Sequence, residues 1–105
     1  MRQLSAQAAA TRLNDNGNAR LLDVREDWEW QRVHLPGSVH MPMSKLTLTW
    51  QSLDPQCCWL VLCHHGVRSA QVTAWLSQQG LPDVINVAGG IDAWSLQVDA
   101  GLPRY

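Results

Sequence analysis

Residues 59–69, WLVLCHHGVRS, decide the fold of this chain, because four apolar residues are followed at once by a cysteine and a polar loop that contains glycine. Residues 59–62 predict a strand that is buried on both faces, with turn residues before and after it. From about residue 69 to residue 79 apolar side chains recur at helical spacing, and a glycine and a proline follow. The stretch therefore predicts a strand, a short loop and a helix, with Cys63 at the carboxyl end of the strand.

The rest of the chain alternates between helical and extended patterns. Helices are predicted over residues 6–13 after an N-cap at Ser5, over residues 45–53 after Ser44, and over residues 91–96, with a helical turn within residues 25–31. Strands are predicted over residues 19–24, 39–41 and 84–87. This alternation predicts an α/β domain with a mainly parallel sheet.

The composition limits the domain count and the partners. A chain of 105 residues, 46% of them hydrophobic and 16% charged, predicts a single domain over residues 1–105. The formal net charge of -1 provides no general field for nucleic acid or an anionic membrane, so neither is expected as a partner. No apolar run approaches the roughly 20 residues of a membrane span, and the N-terminal residues lack a signal-peptide pattern. Three cysteines, an odd number, favour a reducing compartment, and we expect a cytoplasmic protein.

The loop after Cys63 has the residues of an anion site. In open parallel sheets, ligands bind beyond the carboxyl ends of the strands. If the loop curls back at Gly66, its backbone N–H groups and those of the following helix point at one place, where they can hold an anion. Arg68 adds a positive charge, and no Asp or Glu between residues 55 and 82 neutralises it. The pattern predicts a site that stabilises the Cys63 thiolate, rather than an inert cysteine at the end of a buried strand.

Asp23 and Arg25 flank the carboxyl end of the strand predicted over residues 19–24. They could reach the same sheet edge as Cys63, because the carboxyl ends of parallel strands meet there. An ion pair that ties loops together is the favoured role, and support of the cysteine site is the alternative.

The other cysteines and the histidines have simpler explanations. Cys57 and Cys58 are small residues at the start of a strand, and that strand separates Cys58 from Cys63 by roughly 16 Å at about 3.3 Å per residue. A disulfide between these two cysteines cannot close. The run Cys63-His64-His65 lacks a second cluster of ligands in the sequence, so no metal is expected.

The loop CHHGVRS after the strand WLVL resembles the active-site loop of the rhodanese-like sulfurtransferases. Residues 21–26, LLDVRE, together with Glu29-Trp30 and with residues 34–38, HLPGS, are similar to the amino-terminal signature of that family. Gly89-Gly90 through Trp94, and residues 101–103, GLP, resemble its carboxyl-terminal signature. The resemblance covers nearly the whole chain, and it departs from the family pattern at Val33, where the family often has glycine.

The resemblance implies a five-stranded, mainly parallel sheet with helices on both faces, and a sulfurtransferase that needs no organic cofactor. Cys63 would attack thiosulfate or a related small anionic donor, release sulfite and carry a persulfide, whose outer sulfur cyanide or a thiol acceptor then takes. Arg68, together with a protonated His64 or His65, would orient the donor. The persulfide-binding loop would consist of His64, His65, Gly66, Val67, Arg68 and Ser69.

Two other functions use the same cysteine. A persulfide carrier would receive sulfur from a partner protein of a sulfur relay and would turn over thiosulfate slowly. Phosphatases and arsenate reductases of related fold resemble this loop, but they place five residues between cysteine and arginine, whereas four separate Cys63 from Arg68. A phosphatase or arsenate reductase is therefore the less favoured alternative.

Overall fold

The structure, a computed structural model, describes residues 1–105 and contains five strands and five α-helices. The strands are β1 (Gln3–Ser5), β2 (Ala19–Asp23), β3 (Val39–His40), β4 (Cys58–Leu62) and β5 (Val84–Ala88). The helices are α1 (Ala6–Asp15), α2 (Asp27–Arg32), α3 (Leu46–Thr49), α4 (Val67–Gln78) and α5 (Gly90–Gln97), and 3₁₀ turns at Met43–Lys45 and Trp50–Ser52 flank α3. No helix combines the length and the apolar character that a membrane crossing requires.

The strands form one sheet in the order β1-β5-β4-β2-β3, and every neighbouring pair is parallel. β4 is the central strand, hydrogen-bonded to β2 on one side and to β5 on the other. The predicted five-stranded parallel sheet is therefore confirmed. Cys63 follows the central strand, so it lies where ligands of parallel sheets bind.

Two apolar layers lie on opposite faces of the sheet, because successive side chains of each strand point to opposite faces. On one face Leu60 and Leu62 of β4 pack with α1 and α5, for example with Ile91. On the other face Val61 of β4 packs with α3 and α4, for example with Val72. Helices cover both faces, as the resemblance implied.

Two local features differ from the sequence predictions. The pattern misses β1, because Gln3–Ser5 is short and mostly polar, and it is a strand only through its pairing with residues 86–88 of β5. The continuous helix predicted over residues 45–53 is wrong, since only Leu46–Thr49 is α-helical. Its two threonines are β-branched and weaken the helix. Ser44 does not cap this helix, and its hydroxyl instead donates to Oε2 of Glu26 at 3.1 Å.

Candidate active site

Cys63 lies at the carboxyl end of β4 and is 1% exposed. Its Sγ accepts hydrogen bonds from the backbone N–H groups of Gly66 at 3.1 Å and of Ser69 at 3.3 Å. The thiol donates to Oγ of Ser69 at 3.2 Å. The sulfur is thus buried among polar groups rather than in purely apolar packing. An anionic sulfur at this position has two amide donors and one hydroxyl donor within reach.

The backbone of Gly66 gives the loop its shape. Its φ of +96° lies in the left-handed region, and a Cβ there would stand 2.8 Å from the backbone nitrogen of Gly89. α4 begins at the next residue, Val67, whose side chain is 69% exposed. The N–H of Ser69 is in the first turn of that helix, where it has no carbonyl partner within the helix. It points at the sulfur of Cys63 instead.

The start of α5 supports the loop from the other side. The N–H of Ile91 donates to the carbonyl of Cys63 at 2.8 Å, and the N–H of Asp92 donates to the carbonyl of His64 at 3.1 Å. A Cβ at Gly90 would overlap both of these carbonyl groups. Gly90 is therefore more than a turn residue, because its missing side chain lets α5 approach the backbone of the loop.

Arg68 pairs with an acidic side chain from outside residues 55–82, the segment in which the sequence has no Asp or Glu. Its Nη1 and Nη2 donate to the two carboxylate oxygens of Glu29 at 2.6 and 2.8 Å. Glu29 lies on α2, 39 residues upstream, and the fold brings it to the loop. Burial by itself would raise the pKa of Glu29, but hydrogen bonds from Arg68, Tyr105 and the backbone of Glu26 outweigh it and lower that pKa to about 2.

Asp23 and Arg25 form an ion pair whose side chains are fully buried. Nε and Nη2 of Arg25 donate to the carboxylate of Asp23 at distances between 2.8 and 3.1 Å. The same guanidinium donates to the carbonyls of Glu29 and Val33. The pair therefore ties the end of β2 to α2 and to the segment after it, and it reaches the cysteine loop only indirectly, through neighbouring side chains.

Tyr105 also belongs to the site, although the sequence does not indicate it. Its hydroxyl donates to Oε2 of Glu29 at 2.8 Å and accepts from Nη1 of Arg25 at 2.9 Å. Its ring stacks on His64 with 3.9 Å between centroids and 9° between planes. Tyr105 thus joins the Asp23–Arg25 pair to the Glu29–Arg68 pair. No sequence pattern announces this role, because all of these contacts are made across the fold.

His64 and His65 differ in their surroundings. The two rings stack at 3.8 Å, and His64 lies between His65 and Tyr105. Burial lowers the pKa of His64, and the nearby charge of His65 lowers it further. A lowered pKa disfavours the protonated form of His64, and a protonated His64 that orients an anion stays a prediction. His65, in contrast, is exposed.

The other two cysteines lie away from this site. Cys58 is the first residue of β4, and Cys63 directly follows the last one. All three cysteines are free thiols. Burial raises the pKa of Cys58, and Nη1 of Arg12 lies 3.9 Å from its Sγ. Cys58 is thus a buried thiol at the opposite end of the strand.

Residues 5–97 match the family model described as "Rhodanese-like domain". The chain belongs to the rhodanese-like domain family. The resemblance noted from the loop and the two signatures is therefore confirmed for the family and the fold.

Three curated relatives are named for this domain or for sulfur handling. The chain is 42% identical over 92 residues to the "Rhodanese-like/PpiC domain-containing protein 12, chloroplastic" of Arabidopsis thaliana, covering 83% of this chain and 30% of that protein. It is 30% identical over 93 residues to YrkF of Bacillus subtilis, which is named as a candidate sulfur carrier protein, covering 89% of this chain and 50% of YrkF. It is 30% identical over 101 residues to a "Sulfurtransferase" of Allochromatium vinosum, covering 96% of this chain and 92% of that protein.

The share of each relative that this chain covers differs strongly. The chain spans about a third of the Arabidopsis relative and half of YrkF, whereas it spans nearly all of the Allochromatium protein.

Among solved structures, the chain is similar to a rhodanese-related protein from Thermoplasma volcanium, with a TM-score of 0.84 and 32% identity over 98% of this chain and 96% of that one. The family and these relatives support sulfur transfer as the general chemistry of this domain.

Proposed function

We propose that this protein transfers sulfane sulfur from thiosulfate, or a related anionic donor, to cyanide or a thiol through a persulfide on Cys63. The Cys63 thiolate attacks the outer sulfur of thiosulfate, the bond between the two sulfur atoms of the donor breaks, and sulfite leaves with the electron pair. Cyanide or a thiolate then attacks the outer sulfur of the persulfide, and the Cys63 thiolate leaves. The cycle consumes one donor and one acceptor, and it requires no cofactor.

The observation that carries this proposal is the pair of amide N–H groups, from Gly66 and Ser69, that point at the sulfur of Cys63. Hydrogen bonds to a charged group contribute about 1.5–3 kcal/mol each. Two such bonds stabilise the attacking thiolate and the same thiolate when it is the leaving group in the second step. The Ser69 hydroxyl is a third group that can donate to the anion.

Recognition of the donor falls to groups at the outer side of the loop. Glu29 uses two N–H groups of Arg68, and a guanidinium has five, so Arg68 keeps donors for an anion. The exposed imidazole of His65 supplies a further donor. Because Cys63 is 1% exposed, the donor reaches its sulfur only when the loop opens locally. Loading therefore depends on a small movement as well as on chemistry.

The test is a steady-state assay of thiosulfate with cyanide, and in parallel with a thiol acceptor. Wild type is expected to form thiocyanate and sulfite, and Cys63→Ser is expected to form neither. Cys57→Ser is the matched control, because that half-buried thiol precedes β4, at the opposite end of the strand from the loop. Thiocyanate formation by Cys63→Ser at the wild-type rate would refute the proposed role of Cys63.

A persulfide carrier in a protein relay is the second candidate. The buried position of the thiol favours it, because a partner that opens the loop on docking would load Cys63 more readily than a small anion. The similarity to YrkF points the same way. Slow turnover of thiosulfate together with rapid loading from a persulfidated donor protein would favour the carrier. Fast turnover of thiosulfate with either acceptor would favour the enzyme.

The proposal also covers the extent of the domain and the cellular compartment. We propose that residues 1–105 act as one domain, since both apolar layers are built on a single sheet. A cytoplasmic compartment stays a prediction from the cysteine count, and one relative is named as chloroplastic. A thiol-labelling experiment on freshly lysed cells would test it, with three free thiols expected per chain.

A further inference from the structure

Three side chains with metal-ligating atoms converge beside the Cys63 loop, and the proposed sulfur transfer does not require them to do so. They are His64 and His65 of the loop and Asp92 of α5, and one ligand atom of each lies within 4.8 Å of the others. The backbone fixes this convergence, because the N–H of Asp92 donates to the carbonyl of His64 at 3.1 Å. Only His64 and His65 are neighbours in the sequence, and the fold adds the third residue from 27 positions after His65.

His64 has a ring nitrogen without a partner. Its Nε2 is shielded from solvent and makes no hydrogen bond. Buried polar atoms are nearly always paired, and an unpaired one costs about 1–3 kcal/mol. The residue belongs to the cluster with His65 and Asp92, and an ion bound through this nitrogen would remove the cost.

The surrounding contacts hold two of the three residues in place. Asp92 accepts from Arg104 at 2.7 and 3.2 Å. The ring of His64 is packed between His65 and Tyr105, at 3.8 and 3.9 Å. Ligands of metal sites are generally oriented by such outer contacts. His65 is exposed, and it contacts His64 through one face of its ring.

We propose that His64, His65 and Asp92 form a binding site for a divalent transition-metal ion of the zinc class. Two imidazoles and a carboxylate are a donor set that suits Zn²⁺, and three protein ligands leave a fourth position open. Ligand atoms of one tetrahedral zinc lie about 3.3 Å apart, given bonds of about 2.0–2.1 Å. A rotation of the exposed His65 side chain would shorten the distances between the ligand atoms from their present values, which are up to 4.8 Å. The site contains no sulfur ligand, and it shares His65 with the proposed recognition of the sulfur donor.

The first experiment is a calorimetric titration of Cys63→Ser with Zn²⁺ alone, so that the neighbouring thiol cannot act as the ligand. One ion per chain is expected to bind. Adding His65→Ala or Asp92→Asn is expected to weaken binding tenfold or more, while both variants keep the loop backbone intact. His34→Ala is the matched control, because His34 is also exposed but stacks on Trp30 away from the cluster. It is expected to leave the affinity unchanged.

A second measurement identifies the donor atoms in the unmodified protein. Wild type titrated with Co²⁺ is expected to show visible ligand-field bands without a thiolate charge-transfer band in the near ultraviolet. Absence of Zn²⁺ binding by Cys63→Ser, an equal loss in His34→Ala, or a thiolate band with Co²⁺ would each overturn the proposed site. None of these outcomes bears on whether Cys63 carries sulfur, since neither experiment measures transfer.

Discussion

Replacing Glu29 by glutamine tests how the fold holds the active loop. The carboxylate of Glu29 receives both terminal nitrogens of Arg68 and the hydroxyl of Tyr105, and its side chain is 4% exposed. Glutamine keeps the shape, but it removes the charge and presents an NH₂ group to one of the arginine donors. The substitution therefore weakens the link between α2 and α4 without creating a cavity.

The magnitude follows from the pKa of Glu29, which falls from an ordinary value of 4.5 to about 2. At 1.36 kcal/mol per pKa unit, this difference corresponds to roughly 3 kcal/mol of stabilisation. The Arg68 side chain is 34% exposed, so solvent screens part of the interaction. We expect Glu29→Gln to lower the free energy of unfolding by about 2 kcal/mol at pH 7.

The pH dependence of this loss has a defined sign. Because folding lowers the pKa of Glu29, its contribution is complete above about pH 4.5 and disappears as the pH falls through about 2. Urea unfolding followed by tryptophan fluorescence measures wild type and variant at pH 7 and pH 3. The gap between them is expected to shrink by about half or more at pH 3.

The control for this experiment is Asp27→Asn on the same helix, because its carboxylate is 66% exposed. It is expected to change stability by less than about 0.5 kcal/mol at pH 7. A Glu29→Gln protein as stable as wild type at pH 7, or a loss that stays undiminished at pH 3, would refute the account of the Glu29–Arg68 pair.

Three further substitutions test the supporting contacts. Gly90→Ala is expected to lower the free energy of unfolding by at least about 2 kcal/mol and to slow persulfide loading. Gly80 is also at positive φ but in open space, so Gly80→Ala is the control and is expected to cost about 1 kcal/mol. Urea unfolding and loading assays compare the two variants. Tyr105→Phe loses two hydrogen bonds but keeps its ring, so thermal unfolding should show a loss of about 1–2 kcal/mol, and an unchanged melting temperature would contradict the role given to its hydroxyl. Asp23→Asn leaves the fully buried Arg25 without its charged partner, so we expect the free energy of unfolding to fall by about 3 kcal/mol or more. A variant within about 1 kcal/mol of wild type would show that the pair is dispensable.

The sequence predicts the parts of this molecule that depend on local patterns. Residues 59–62 are uniformly apolar between turn residues, so the strand and the position of Cys63 at its end follow from the order of the residues. Gly66 likewise predicts the turn that directs two backbone N–H groups at the sulfur of Cys63. The family signatures add the number of strands and their parallel arrangement.

Contacts between distant segments could not be predicted in this way. Glu29 and Arg68 are 39 residues apart, and no spacing rule connects α2 to α4. Tyr105 joins them from outside both signatures. The short strand β1 is polar and exists because β5 offers it hydrogen bonds. In each case the deciding free energy comes from tertiary pairing rather than from local preference.

The central claim is that the amide-lined sulfur of Cys63 accepts sulfur from a small anionic donor. Intact-mass analysis of the protein after exposure to thiosulfate, without any acceptor, measures this step alone. One added sulfur atom is expected on wild type and on Cys57→Ser, and none on Cys63→Ser. A wild-type mass that does not change, or the same gain on Cys63→Ser, would contradict the claim.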